Sequence, residues 1–247
     1  MNIIIPLAGI SNFDSKNNFY PLLLREVSGK ALIQYVVENL LTIEGENKFI
    51  YILKEEDCLK FHLDNTLKLL TPNCEVVILK TETFGSVCSI LMGIDKVNKH
   101  EDTIIVNADQ IFNTDINSIL KCFRNKSVDA GLITFDSVHP RWSYVICEKD
   151  GNVIQAVEKN PISRSAIAGF YYFKSFDDFK ECAFNAIEIE DFYYDKLYTS
   201  ALINQMILLN KKVLNKTIKT DDYISFYSPQ KITEFESFLA KKKNNEK

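Results

Sequence analysis

Apolar residues along this chain fall into short β-branched runs separated by stretches of helical period. The run Asn2-Ile3-Ile4-Ile5 stops at Pro6 and predicts a buried strand. Further strands are expected at 48–53, 75–79 and 103–106, each too short and too evenly apolar for an amphipathic helix. Between them lie helical patterns. In 31–41, Leu32, Val36, Val37, Leu40 and Leu41 share a face, and in 57–70 the face is Leu59, Leu63, Leu67 and Leu70. A third helix is expected at 86–97. Strand and helix in strict alternation imply βαβ units and a parallel sheet, and strands apolar on both faces imply helices covering both sides.

The pattern changes after Ala130. Strands at 131–135, 144–147, 153–157 and 167–173 follow with few helices between them, and Lys149-Asp150-Gly151-Asn152 predicts a hairpin turn. Helices are expected at 177–187, 198–209 and 229–241. No linker rich in Pro, Gly or Ser interrupts the chain. The expected organisation is one α/β domain over 1–247, with a mixed, mostly parallel central sheet flanked by helices. Residues 1–125 would form a nucleotide-binding half and 126–241 an acceptor-binding half, with 242–247 as a frayed tail. In such a sheet, ligands bind in the crevice beyond the carboxyl ends of the strands.

Composition narrows the function classes. Of the 247 residues 46% are hydrophobic, an ordinary globular share that supplies a core, and the net charge of −4 argues against nucleic acid as a partner. The one basic run, Lys241-Lys242-Lys243, lies in the polar tail. No apolar run reaches membrane-spanning length. Six cysteines without a C-x-x-C pair and no signal-like start lead us to expect reduced thiols and a cytoplasmic protein. The three histidines lack ligand spacing, so zinc is not expected. The sequence leaves room for a homo-oligomer.

A few positions have the chemistry for a site. Asp109 follows a buried strand directly, which puts its carboxylate at the ligand edge. One acid there can hold a hard cation such as Mg²⁺ that bridges a nucleotide's phosphates, and it can equally cap the turn. Leu7-Ala8-Gly9 follows the first strand, where Gly9 permits close approach to backbone N–H groups. Gly85 and Ser86 open a helix: Gly85 can admit a flat base, while Ser86 can bond a base edge or simply cap the helix. Glu158 and Lys159 end a strand. They can grip an acceptor, Glu on hydroxyl or amine groups and Lys on phosphate, or form an ordinary surface ion pair. Arg141, beside the lone Trp142, can reach a phosphate.

Taken in order along the chain, these pieces resemble the sugar-phosphate nucleotidylyltransferases, a family of GT-A-like Rossmann fold. NIIIPLAG (2–9) resembles the family's opening strand and loop, and VSGKAL (27–32) its V-x-G-K-P-[LM] stretch. IVNADQ (105–110) resembles the metal-binding strand end, VEKNP (157–161) the V-E-K-x-P motif, and GFYYF (169–173) the acceptor-side strand G-[IV]-Y-x-F. The N-A-D-Q and P-R-W-S-Y segments are similar to a bacterial subgroup associated with capsule and surface-polysaccharide synthesis. The resemblance implies that a metabolite's phosphate attacks the α-phosphorus of a nucleoside triphosphate and releases pyrophosphate. It implies Asp109 as the Mg²⁺ ligand and Lys159 on the acceptor phosphate, with Glu158 and Gly169 lining the acceptor pocket. Leu7, Ala8, Gly9, Gly85, Ser86 and Asn107 would meet the nucleotide.

The chain departs from the family on the triphosphate side. The first loop of the family, roughly G-x-G-x-R-[FL], is here Gly9-Ile10-Ser11-Asn12-Phe13, with Asn12 near the Arg position. In the P-K-P-L stretch Leu22 replaces the Lys, and Arg25, Lys16 and Lys30 are the nearby cations. Each lost charge-assisted contact is worth about 1.5–3 kcal/mol. Two competing readings therefore stand beside the enzyme. One is a non-catalytic relative that binds a nucleotide or nucleotide-sugar. The other is a glycosyltransferase using a preformed nucleotide donor, for which Asn107-Ala108-Asp109 is half of a D-x-D motif.

Overall fold

The computed structural model describes residues 1–9 and 21–245, with side chains to 241. The expectations placed on Asn12 and Lys16 lie outside these residues. In chain order the elements are β1 (Asn2–Pro6), β2 (Glu26–Val27), β3 (Lys30–Ala31), α1 (Leu32–Leu40), β4 (Lys48–Lys54), α2 (Glu55–Phe61), α3 (Leu63–Leu70), β5 (Glu75–Leu79), α4 (Ser86–Leu91), β6 (Thr103–Val106), β7 (Gln110–Phe112) and α5 (Ile116–Asn125). They continue with β8 (Ala130–Asp136), β9 (Tyr144–Cys147), β10 (Val153–Val157), β11 (Ser165–Phe173), α6 (Phe176–Glu188), α7 (Thr199–Leu208), β12 (Val213–Thr217), β13 (Tyr223–Ser225) and α8 (Pro229–Asn245).

The main sheet runs β5-β4-β1-β6-β11, then splits, with β9-β10 and β8-β12 both continuing from β11. The β5-β4-β1-β6 block is parallel, and β8 and β12 pair in parallel with each other. β11 runs antiparallel to β6, β8 and β9. This is the expected mostly parallel α/β sheet. The β1 strand shows why it forms: Ile3 and Ile5 enter one core and Ile4 the other, so a continuous β-branched run is buried on both faces.

Local departures from the expected elements have local causes. The helix expected at 57–70 is broken at His62, which takes a left-handed conformation (φ 52°). The helix expected at 86–97 ends at Leu91 and resumes as one 3₁₀ turn, Ile94–Lys96. α8 continues to Asn245, past the expected end at 241, consistent with the good helix propensity of lysine. β2, β3, β7, β12, β13 and α5 were not expected. α5 did carry a signal, since the Asp115 side chain caps it by accepting from the Ser118 N–H. β12 (VLNKT) carried none, because its partner β8 lies far back in the sequence. The expected 149–152 hairpin joins β9 to β10, with Gly151 at φ 90°.

The topology also divides one edge of β11 between two strands. Along one edge of β11, β6 pairs with Phe170 to Phe173 while β9 meets Ala166. The register of β11 shifts between Ile167 and Tyr171. Gly169 sits in that shift, where the exit of β6 and the entry of β9 part company. Among the described residues, no helix is long and apolar enough to cross a membrane, and all six cysteines are free thiols.

Candidate active site

Gly169 is the joint on which the site turns. It takes a left-handed φ of 58°, and a Cβ there would stand 2.4 Å from Asn107 Nδ2 and 2.8 Å from Gln110 Oε1. Its carbonyl accepts from the Asn107 backbone N–H at 3.0 Å and from Gln110 Nε2 at 3.0 Å. The acceptor-side strand is thereby bonded to the loop that carries Asp109. β1 and β6 are neighbours in parallel, so their exit loops, 7–9 and 107–109, lie at the same edge. Leu7 is buried and Ala8 half-buried, while Gly9 is exposed and a Cβ there would meet nothing within 4 Å. Asn107 is exposed beside them.

Asp109 lies under this loop. Its carbonyl accepts from the Phe226 N–H at 2.8 Å, which pins the loop to the end of β13. Burial raises the pKa of its carboxyl, opposed by its own backbone N–H and by the Arg141 guanidinium. The nearby Tyr223 hydroxyl donates to Gln110 Oε1 at 3.0 Å, and burial first, then the charge of Asp109, push its pKa well up. The guanidinium of Arg141 stacks 3.6 Å from the centroid of Tyr227 and 5.2 Å from that of Trp142. Among the described residues it makes no side-chain hydrogen bond or ion pair, so its donors are available to a ligand.

Glu158 and Lys159 directly follow β10. Glu158 is 12% exposed, and its Oε2 accepts from the Ser143 hydroxyl and, at 2.6 Å, from the Ser200 hydroxyl. Lys159, itself left-handed at φ 51°, places Nζ 3.9 Å from Glu158 Oε1 and donates to the Tyr198 hydroxyl at 3.1 Å. The Tyr193 and Tyr198 rings flank its ammonium. Tyr171 lies close to Glu158: burial, then the charge of Glu158, raise its pKa and keep it a neutral phenol.

Gly85 and Ser86, expected to meet the nucleotide, also make contacts within the chain. Gly85 has φ 99°, and a Cβ there would meet Leu197 O at 2.5 Å. The backbone approach that requires the glycine is therefore made by the chain itself. Gly85, not Ser86, is the N-cap of α4, and the Ser86 hydroxyl lies 3.5 Å from the Thr199 hydroxyl. On the triphosphate side, Leu22 packs partly buried against the core, and Lys30 is held by Glu38 at 2.8 and 2.9 Å. Gln110, Ser143, Leu197, Tyr198, Ser200 and Tyr223 were not expected at the site. Gln110 and Ser143 stand inside the N-A-D-Q and P-R-W-S-Y segments without a role being read from them, and no periodicity or motif marks the other four, which act through partners distant in sequence.

The residues present offer a metal little. No group of three or more His, Cys, Asp or Glu able to hold an ion exists among the described residues. Asp221 and Asp222 precede β13, and Ser225 is the residue registered against Gln110. One carboxylate fits only a Mg²⁺ whose remaining ligands are phosphate oxygens and water, which is how that ion usually binds.

The model of the nucleotidyl transferase family matches residues 17–206, most of the chain. Among solved structures, a nucleoside-diphosphate-sugar pyrophosphorylase from Vibrio cholerae superposes with a TM-score of 0.83 at 23% identity, covering 95% of this chain and 99% of that one. A UDP-glucose pyrophosphorylase complexed with UDP-glucose gives 0.74 at 16% identity, covering 98% of each chain. An inositol-1-phosphate CTP transferase from T. maritima gives 0.76 at 14% identity, covering 97% of this chain and 95% of that one. At these identities the likeness is one of fold. No curated protein matches the chain in sequence.

Proposed function

The chain belongs to the nucleotidyl transferase family, and on that premise we propose that it transfers a nucleoside monophosphate from a triphosphate to a small phosphorylated metabolite, a sugar phosphate or similar. An oxygen of the acceptor phosphate attacks the α-phosphorus, the α–β P–O bond breaks, and pyrophosphate leaves with that bond's electron pair. The observation that carries this reading is the Gly169 joint. It bonds the Asp109 loop to β11, which supports reading that loop and the Glu158–Lys159 pair as parts of one site.

Catalysis of this kind is positioning plus charge neutralisation. Asp109 is the residue that would hold Mg²⁺, whose charge would offset that of the triphosphate. Lys159 binds the acceptor phosphate, and Glu158, fixed by two serine hydroxyls, accepts from a hydroxyl or amine of the acceptor. Arg141 offers guanidinium donors near Asp109. Lys30, by contrast, is committed to Glu38. Leu7 to Gly9 and Asn107 line the nucleotide's approach. The N-A-D-Q and P-R-W-S-Y segments support a place in capsule or surface-polysaccharide precursor synthesis.

Purified protein given Mg²⁺, each of the four common NTPs and a panel of phosphorylated metabolites should release pyrophosphate with at least one pair. Release no higher than that of Asp109→Ala would sink the reading. The second reading, binding without turnover, is favoured by the apolar Leu22. Its mark would be thermal stabilisation by a nucleotide with no pyrophosphate released.

A further inference from the structure

The N-terminal half of α7 runs beside the end of β10 and holds it almost residue by residue. Asn204 makes two hydrogen bonds to the backbone of Ala156, donating Nδ2 to its carbonyl at 2.8 Å and accepting from its N–H at 2.8 Å. One turn back, Ser200 donates to Glu158 at 2.6 Å, and at the helix N-cap Tyr198 accepts from Lys159 at 3.1 Å. The residues between these contacts face the other half of the molecule. Leu197 donates its N–H to Phe84 O at 2.7 Å and accepts from the Val87 N–H at 3.3 Å, and Thr199 meets Ser86. Leu197 is fully buried, and its backbone fills the space a Gly85 side chain would need.

The strand bridge that leads into this segment is strained. Tyr193 and Lys196 exchange backbone hydrogen bonds around Tyr194 and Asp195, both left-handed at φ 46° and 59° without being glycine. That turn shape favours Asn-Gly or Asp-Gly, and non-glycine residues persist in it only where the surroundings over-determine them. Here it delivers the Tyr193 ring to 5.4 Å from the Lys159 ammonium.

We propose that Tyr198 and Ser200 are positioning residues for Lys159 and Glu158, and that residues 197–200 form a bracket fixing the spacing between the nucleotide loop at 84–86 and the acceptor pair. This rests on the reading of Lys159 as the acceptor-phosphate ligand. A lysine ammonium on a flexible stem rotates freely, so orienting it before the phosphate arrives removes part of the ordering cost of binding. The same bracket makes an acceptor contact depend on a nucleotide-loop residue.

The test uses the full chain and inorganic phosphate as the probe, with affinity read by isothermal titration. Lys159→Met should lose phosphate binding. No binding by wild-type protein, or unchanged binding by Lys159→Met, would defeat the acceptor reading itself. Given that loss, Tyr198→Phe should weaken phosphate about fivefold, a charged hydrogen bond discounted for partial exposure. Gly85→Ala should weaken it as well, although residue 85 belongs to the nucleotide loop. A Tyr198→Phe protein that binds phosphate like wild type overturns the inference, even if its melting temperature moves, because that outcome is a purely structural role. Should Gly85→Ala fail to fold, Tyr198→Phe alone decides.

Discussion

Replacing Gly169 by alanine should damage both stability and chemistry, and the two effects separate by what can move. A left-handed alanine costs roughly 1–2 kcal/mol. The new methyl also meets two side chains of unequal freedom. Asn107 is exposed, so its amide can swing away from 2.4 Å at little energetic cost, but it leaves the nucleotide-facing edge in doing so. Gln110 is 2% exposed and cannot retreat, since Tyr223 donates to its Oε1 and its own Nε2 donates to Gly169 O. Overpacking of this kind costs about 1–3 kcal/mol. The sum, about 2–5 kcal/mol, should lower the urea midpoint by roughly 1 M or more for a slope near 1–3 kcal/mol/M. A displacement near 1 Å at the Asp109 loop should lower pyrophosphate release about a hundredfold. Gly131→Ala is the control. Its methyl would meet the Phe123 ring at 2.8 Å inside the core, so stability falls while the acceptor KM stays as it was. An unchanged urea midpoint together with wild-type pyrophosphate release by Gly169→Ala would refute the reasoning.

The remaining predictions concern charge. Asp109→Asn should lower pyrophosphate release by about a hundredfold or more, since it removes the carboxylate proposed to hold the metal. The same variant should be more stable than wild type at neutral pH. Burial raises the Asp109 pKa, so the folded state binds the proton more tightly than the unfolded chain. Stability from this group is therefore full below the ordinary carboxylate range near 3.9 and is lost as pH rises through the raised folded value. Melting curves across pH that converge at low pH and separate above it would agree; the reverse order would not. Arg141→Gln should cost about ten- to a hundredfold in kcat/KM, from one or two lost charge-assisted contacts. If it costs nothing, Arg141 does not face a phosphate. Glu158→Gln should raise the acceptor KM more than it lowers kcat, because Glu158 binds the acceptor without touching the transferred phosphorus; an unchanged KM counts against that role.

Much of the fold was legible because it rests on local period. Ile3 to Ile5, Phe49 to Leu53 and Thr103 to Val106 are covered on both faces, as strands of a sheet flanked by helices are. The strand-end motifs put Asp109 just past β6 and Glu158 and Lys159 just past β10, since such motifs are local in sequence. Three things were decided by tertiary structure. The split of the sheet along β11 depends on which strand claims each half of one edge, and β-pairing across sixty residues leaves no mark in either segment. The reason for Gly85 is the backbone of Leu197, more than a hundred residues on. The settings of Glu158 and Lys159 come from Ser143, just before β9, and from Ser200 and Tyr198, whose roles exist only once α7 lies beside β10. The sequence by itself determined the sheet and the chemical types at its edge, because burial and turn chemistry act over a few residues. Orientation and spacing within the site belonged to the tertiary structure, because a hydrogen bond constrains two side chains wherever the chain happens to bring them together.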